Sequence, residues 1–245
     1  MVSNLGQIGA RILESVRGCV YPRVCYICGK EASSETGYLL CEDCLGSIRL
    51  NDGPVCRKCG HPLRVYSNGC EFCKDSDYLF DSAFSAGIYE GTLREAIHLF
   101  KYESRLELES VFFDIMIDFA EKCIDMSLFD WIACVPLHKI KERERSFNQA
   151  GILARHFSEI YNIPFFGTNL LKIRKDLAQI ELSREARRKS VRDSFKVKRP
   201  DLTKGRRFLL IDDVFTTGST LNECTRTLLK SGASGVSVFT LAKDI

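Results

Sequence analysis

Residues 208–220 read Phe-Leu-Leu-Ile-Asp-Asp-Val-Phe-Thr-Thr-Gly-Ser-Thr, and no other stretch narrows the choice of fold as far. Phe208 to Ile211 is a continuous apolar run, the pattern of a strand covered on both faces. Asp212 and Asp213 come where that strand is expected to end. Hydroxyl side chains then surround Gly218, and Leu221 to Leu229 has the apolar spacing of a helix. Strand, acidic pair, hydroxyl-rich turn and helix together form a phosphate cup beside two acids. Amide N–H groups at a helix start attract anions, and small residues let a phosphate approach the backbone. The acids suit ribose hydroxyls, or a Mg²⁺ ion bridging to a diphosphate. A P-loop NTPase also has an acidic strand end, but it needs a glycine-rich loop closing in Lys-Ser/Thr. Neither that loop nor the three-glycine dinucleotide pattern occurs in this sequence.

The same run resembles the PRPP-binding loop of type I phosphoribosyltransferases, in which this order of residues holds a ribose 5-phosphate. The resemblance implies that Asp212 and Asp213 hold the ribose hydroxyls and help place Mg²⁺. It likewise implies that Thr216, Thr217, Gly218, Ser219 and Thr220 hold the phosphate.

The other end of the chain has a different chemistry. Of twelve cysteines, nine fall before residue 75, and eight of these form four pairs with two residues between: Cys25/Cys28, Cys41/Cys44, Cys56/Cys59 and Cys70/Cys73. The segment repeats itself, since Cys25-Tyr-Ile-Cys28-Gly29 matches Cys56-Arg-Lys-Cys59-Gly60 and Cys41-Glu-Asp-Cys44 matches Cys70-Glu-Phe-Cys73. A two-residue gap turns both sulfurs of a tight knuckle toward one ion, and two knuckles complete a tetrahedral Cys₄ zinc site. The repeat predicts two zinc ribbons, one from Cys25, Cys28, Cys41 and Cys44, the other from Cys56, Cys59, Cys70 and Cys73. A cross-braced pairing, first knuckle with third and second with fourth, is the alternative. Four sulfur ligands leave no open coordination position, so both zincs are expected to be structural. Structural zinc contributes roughly 10–16 kcal/mol to such units, more than a segment of about 50 residues obtains from its own core. Cys19, Cys123, Cys134 and Cys224 are expected to be ordinary small apolar residues. His61 follows a knuckle glycine and is read as a surface residue, because no ligand is missing.

At 245 residues with 45% hydrophobic and 27% charged side chains, the chain can build a sizeable core, and its net charge of +3 does not by itself argue for nucleic acid. No apolar run approaches the ~20 residues that span a bilayer. Met1 to Gly18 has the pattern of an amphipathic helix packed on the protein rather than that of a signal peptide, from which a cytoplasmic location is expected. Past Cys73 the pattern predicts a strand over 80–89 and a helix over 91–102. Helical spacing follows over 105–126, then a strand over 130–135 stopped by Pro136, a helix over 148–161 and a strand region from 162. After a basic tract come a strand over 206–212, a helix over 218–231 and a last strand over 236–242. The basic tract, residues 172–207, holds fourteen Lys or Arg against five acids. Strands alternating with helices imply a parallel sheet, with ligands at the carboxyl ends of its strands. Pro136-Leu137-His138 and the Asp212-Asp213 pair are both placed at such ends.

Three further segments agree with one family: Val135-Pro136-Leu137-His138 followed by Arg145-Ser146-Phe147-Asn148-Gln149-Ala150; Phe100-Lys101-Tyr102; and Gln179 before Leu182-Ser183-Arg184-Glu185-Ala186-Arg187 and Ser194-Phe195. With the cysteine pairs and the 208–220 loop, the chain resembles the ComF family, the competence protein F or ComFC type, over roughly residues 19–244. The resemblance implies a type I phosphoribosyltransferase-like α/β domain, a parallel sheet flanked by helices, behind a small N-terminal Cys₄ zinc-ribbon domain. The boundaries expected are 1–24 for an N-terminal helix and linker, 25–76 for the double ribbon and 77–245 for the transferase-like domain. It implies PRPP or a related sugar phosphate as ligand, magnesium with it, about two zincs, single-stranded DNA handling in natural transformation and a DNA helicase partner. Arg143, Arg145 and Lys101 are expected to face the diphosphate, and the basic segment 174–192 to close over the site. As plain residues these are a solvated charge run and a surface lysine. Phe147, Phe165 and Phe166 are weighed as base-stacking residues against ordinary core packing. The family usually has Gly where Ser146 stands and often Asn where Ser190 stands; a positive φ at Ser146 would strain the backbone there.

Overall fold

A computed structural model of the chain describes residues 23–32, 38–63, 65, 70–174 and 192–245. The expected N-terminal helix, Cys19 and the stretch from Gln179 through Ser190 lie outside the described residues. The chain divides into two compact units, Met1–Ile48 and Arg49–Ile245.

In the smaller unit the first knuckle is a turn closed by an antiparallel bridge between Val24 and Glu31. Gly29 sits at φ +74°, in the left-handed region that glycine enters without strain, and its N–H donates to the Cys25 carbonyl at 3.0 Å. The short helix α1, Glu42–Gly46, starts directly after Cys41 and brings Cys44 back toward it.

The larger unit repeats that knuckle. Val55 bridges Pro62, Gly60 sits at φ +67°, and its N–H donates to the Cys56 carbonyl at 2.7 Å. The elements that follow are β1 (Ser82–Ile88), α2 (Gly91–Tyr102), α3 (Glu109–Cys123), β2 (Trp131–Cys134), α4 (Lys139–Arg145), α5 (Gln149–Tyr161), β3 (Leu170–Lys172), β4 (Phe195–Val197), β5 (Arg207–Phe215), α6 (Ser219–Lys230) and β6 (Gly235–Lys243). Four strands form one parallel sheet in the order β1-β6-β5-β2, and β3 pairs antiparallel with β4. β6 is buried at all nine positions because it lies between two strands and beneath helices on both faces. On one face Phe119 of α3 and Phe157 of α5 pack on Phe239, with ring centroids 5.7 and 5.5 Å away. On the other, Leu221, Cys224 and Leu228 of α6 join Phe208, Leu210, Val236 and Val238, together with Phe195 and Val197 of β4.

Several elements depart from the sequence expectation. The spacing over 105–126 breaks into a 3₁₀ turn at Leu106–Leu108, the helix α3, and a second 3₁₀ turn at Met126–Leu128. The Asp125 carboxylate accepts from the Ser127 N–H and starts that last turn, a local bond that competes with helix continuation. The strand region expected from 162 reduces to one parallel bridge, Ile132 to Phe165. The charge run at 139–145 is a helix, with the His138 Nδ1 accepting from the Ile140 N–H as its cap. Most consequential, β5 continues four residues past Ile211, through Asp212 and Asp213 to Phe215, because β6 still pairs with it as far as Phe215 and Lys243.

Candidate functional site

That extended strand explains how the acids are presented. On its β2 side, β5 loses its neighbour at Cys134 and Ile211, where the last rung is the Val135 N–H donating to the Ile211 carbonyl at 3.0 Å. Pro136 cannot continue the ladder. Asp212 and Asp213 therefore stand in a one-sided gap, held straight by β6 and free of β2. Because side chains alternate along a strand, the two acids leave it on opposite faces.

Asp213 faces α2, and Lys101 in the last turn of that helix meets it at 2.8 Å. Both side chains are about one-sixth exposed or less, at 16% and 14%. Burial works against the Lys101 ammonium, but the Asp213 carboxylate outweighs it and lifts the lysine above its usual range. Asp212 accepts from the Asp213 N–H at 2.9 Å. Burial, and then the Asp213 charge, push the Asp212 carboxyl up to about 8, against the opposing pull of Lys101. At neutral pH the ligand-free pair thus holds one proton and one ammonium, and presents little net negative charge.

Next along the chain, Gly218 caps α6 at φ +71°. A Cβ there would come within 2.8 Å of both the Phe215 and Tyr78 rings, so packing and conformation both require glycine. The Tyr78 hydroxyl donates to the Thr217 carbonyl at 3.0 Å, and Asn222 bonds the backbone of Asp77 and Leu79. The loop is therefore braced by the segment that follows the second cysteine cluster. Thr217 Oγ1 and Ser219 Oγ lie 2.9 Å apart and face each other across the turn. Thr216 is exposed, while Thr217, Ser219 and Thr220 are half-buried. The first amides of α6 carry the positive end of a twelve-residue helix.

A cavity of about 320 Å³ beside this acid pair is lined by Lys101, Tyr102, Ser104, Lys141, Glu144 and Arg145. Arg145 lies over the Tyr102 ring at 4.9 Å. Arg143 is exposed on the same helix and does not line that cavity. Ser146 does take a positive φ, +65°. Of the three phenylalanines weighed as base platforms, Phe166 is fully buried, Phe147 packs on Phe100 at 5.4 Å and Phe165 lies under Arg155 at 5.0 Å.

The eight knuckle cysteines gather as two sequential sets, Cys25, Cys28, Cys41 and Cys44, and Cys56, Cys59, Cys70 and Cys73, with all sulfurs of a set within 4.8 Å of one another. Cys28 and Cys41 are 3.5 Å apart, Cys56 and Cys73 3.7 Å, and Cys59 and Cys70 3.8 Å. Zinc–sulfur bonds of about 2.3 Å in a tetrahedron set sulfurs about 3.8 Å apart, so both sets fit the ion and the cross-braced alternative does not describe them. Burial opposes a Cys25 thiolate, but backbone N–H groups of Cys28, Cys41 and Ile27 outweigh it and bring that thiol down to about 6, whereas burial pushes the Cys44 thiol of the same set up. Two residues depart from the reading of the sequence. His61 is buried, because the second cluster packs into the larger unit, and its ring stacks on Phe72 at 3.5 Å. Cys123 is exposed, whereas Cys134 and Cys224 are buried as expected. The Asp213–Lys101 pairing and the Tyr78 brace were beyond sequence reasoning; Phe100-Lys101-Tyr102 at a helix end was the only signal.

These features define a phosphoribosyltransferase fold carrying Cys₄ zinc-ribbon sites. The family model of a double zinc ribbon domain matches residues 16–76, and that of a phosphoribosyl transferase domain matches residues 143–245. Competence protein F of Haemophilus influenzae is 29% identical over 211 residues, covering 83% of this chain and 90% of that protein. The DNA utilization protein YhgH of Escherichia coli K12 is 27% identical, covering 91% and 98%, and competence protein ComFC of Bacillus subtilis 26%, covering 93% and 98%. Along most of its length the chain is thus similar to the competence protein F and ComFC proteins. Among the described residues, no helix is long and apolar enough to cross a membrane.

Proposed function

We propose that this chain binds PRPP or a related pentose 5-phosphate, with magnesium, and does so in the handling of single-stranded DNA during uptake. The observation that carries the reading is the placement of Asp212 and Asp213 in the gap beside β2, immediately before a glycine-capped, hydroxyl-lined turn. The hydroxyls of Thr216, Thr217, Ser219 and Thr220 and the first amides of α6 take the 5-phosphate. The acids take the ribose hydroxyls. Lys101, Lys141 and Arg145 supply positive charge on the side where a diphosphate would lie; Arg143, exposed between Lys141 and Arg145 on the same helix, adds to the field without lining that cavity.

The charge state of the ligand-free pair fits this role. A protonated Asp212 and an Asp213 neutralised by Lys101 do not repel an arriving phosphate. A divalent cation would take the oxygen of Asp212 in its ionised form, so its binding displaces that proton. In a transfer reaction the C1–O bond of PRPP would break with its electron pair leaving on the diphosphate, and an acceptor nitrogen would bond to C1. The residues named would act by positioning and by neutralising the departing charge.

The names of the competence and DNA utilization relatives support the DNA part of the reading. So does the basic tract, fourteen Lys or Arg against five acids over 172–207. Calorimetry separates the two parts. With PRPP and Mg²⁺, wild type is expected to bind and Asp212→Asn/Asp213→Asn to lose at least tenfold in affinity; equal affinity would remove PRPP from this site. A single-stranded oligonucleotide is expected to bind with an affinity that falls steeply as salt rises. No binding at low salt would end the DNA part and leave a sugar-phosphate protein of nucleotide metabolism.

A further inference from the structure

A second cavity, about 510 Å³, also takes residues of the hydroxyl turn into its lining. Thr216, Thr217 and Ser219 form one wall and the second cysteine cluster with its following segment forms the other. Three features bear on its occupant. Phe72 is 65% exposed, although it is a large aromatic side chain, and it lies flat on His61, whose buried ring fixes its plane. Tyr78 adds a second aromatic surface, stacked on Phe80 at 4.8 Å. Lys243, at the end of β6, lines the same cavity at only 5% exposure. Its neighbours are the Phe215 ring, 3.8 Å from the ammonium to the centroid, and Cys59, Cys70, Asp244 and Cys73; burial opposes the ammonium, although the negative charges of these four favour it. That cation faces the sulfur cluster on one side, and the anion position of the cavity is the turn of hydroxyls and helix-start amides itself.

The remaining wall excludes a highly charged ligand. Glu71, Asp75 and Asp244 also line the cavity and would repel a second phosphate. They accept hydrogen bonds from the amino and ring N–H edges of nucleobases. An exposed aromatic platform, acceptors at the rim and one anion position together describe a base joined to a phosphate.

We propose that this cavity is a nucleobase site, which holds the base of a nucleotide whose phosphate sits in the Thr216–Ser219 turn. The proposal rests on the reading of that turn as a phosphate holder. The base would lie between the turn and the second cysteine cluster, in a cavity that Asp212 and Asp213 do not line, so this pose differs from the one proposed for PRPP. The cluster would then have a part in binding through His61 and Phe72, besides holding the fold.

The test is a calorimetric titration of the zinc-loaded full chain with adenosine 5′-monophosphate, adenine and ribose 5-phosphate. Wild type, Phe72→Ala and Phe72→Tyr are compared; the exposed position lets all three fold. Phe72→Ala is expected to weaken the nucleotide by about 5- to 100-fold, Phe72→Tyr to retain it, and ribose 5-phosphate to be unaffected by either. If Phe72→Ala binds the nucleotide as well as wild type does, the base site is overturned while the phosphate turn stands. If ribose 5-phosphate fails to bind wild type but the nucleotide still depends on Phe72, the base site stands and the pentose-phosphate reading fails. Free adenine binding as tightly as the nucleotide would overturn the link to the phosphate.

Discussion

The two cysteine clusters begin from the same sequence repeat and end in different structural positions. Both knuckles have a bridge across the turn, a left-handed glycine and an N–H returned to the first cysteine carbonyl. The first cluster, however, belongs to the compact unit ending at Ile48, in which Leu40 and Ala32 are the buried apolar company. The second is part of the large core: Cys56, Cys59 and Cys70 pack in one apolar cluster with Phe80, Phe208, Phe215 and Leu221. The backbone after it, Asp77 to Leu79, ties down the turn before α6. One metal site thus organises a small segment, and its duplicate braces a binding loop. A local motif specifies the local geometry, and the apolar residues around it decide what that geometry supports.

The largest effect that can break this comparison is loss of a ligand from each cluster in turn. Cys59→Ser removes roughly 10–16 kcal/mol of metal-linked folding energy from the larger unit, comparable to or above a domain's net stability of about 5–15 kcal/mol. It is expected to yield no cooperative melting transition for that unit. Cys28→Ser, exposed and in the smaller unit, is expected to leave the same transition within a few degrees of wild type in a thermal melt followed by circular dichroism. Metal analysis should give about two zincs per chain, falling to about one in Cys28→Ser. Equal damage from both substitutions would mean that the clusters are not separate in the way described.

The next effect is a pH dependence confined to the larger unit. Asp212 has a folded-state pKa of about 8 against an ordinary carboxyl near 3.8. The folded state therefore holds a proton that the unfolded state has released, and its contribution is complete below about pH 4 and is lost as pH rises through about 8. Ligand-free protein should lose stability over that interval, and Asp212→Asn should flatten the dependence in denaturant melts. A slope unchanged in the variant would assign it to other groups.

The smallest effect concerns Ser146, which closes α4 at φ +65°. A side chain in the left-handed region costs about 1 kcal/mol relative to glycine. Ser146→Gly is expected to raise the denaturation midpoint by that amount in a urea titration, with the slope unchanged; a destabilised variant would contradict the strain.

Much of this was legible in the sequence because the signals were local. The spacing of the cysteines gave both ligand sets, and Gly91–Tyr102 and Ser219–Lys230 fall within a residue or so of the helices that periodicity predicts. The hydroxyl turn with its glycine was recognisable for the same reason. What escaped were relations between distant segments. The end of β5 is set by its neighbour β6 and by the departure of β2, so a run of apolar residues marked its buried part and not its length. The burial of His61 depends on the second cluster packing into the core, and the Lys101–Asp213 pair joins residues more than a hundred positions apart. α4 was hidden because it has no buried face: none of its residues is buried, and a charge run without an apolar stripe looks like loop.

The most direct test of the central claim is a crystal structure of the zinc-loaded protein with PRPP and magnesium. The account predicts the 5-phosphate on the amides and hydroxyls of Thr217 to Thr220, the ribose hydroxyls on Asp212 and Asp213, and the diphosphate toward Lys101 and Arg145. A sugar phosphate bound elsewhere, with the Asp213–Lys101 pair intact and the turn empty, would contradict it.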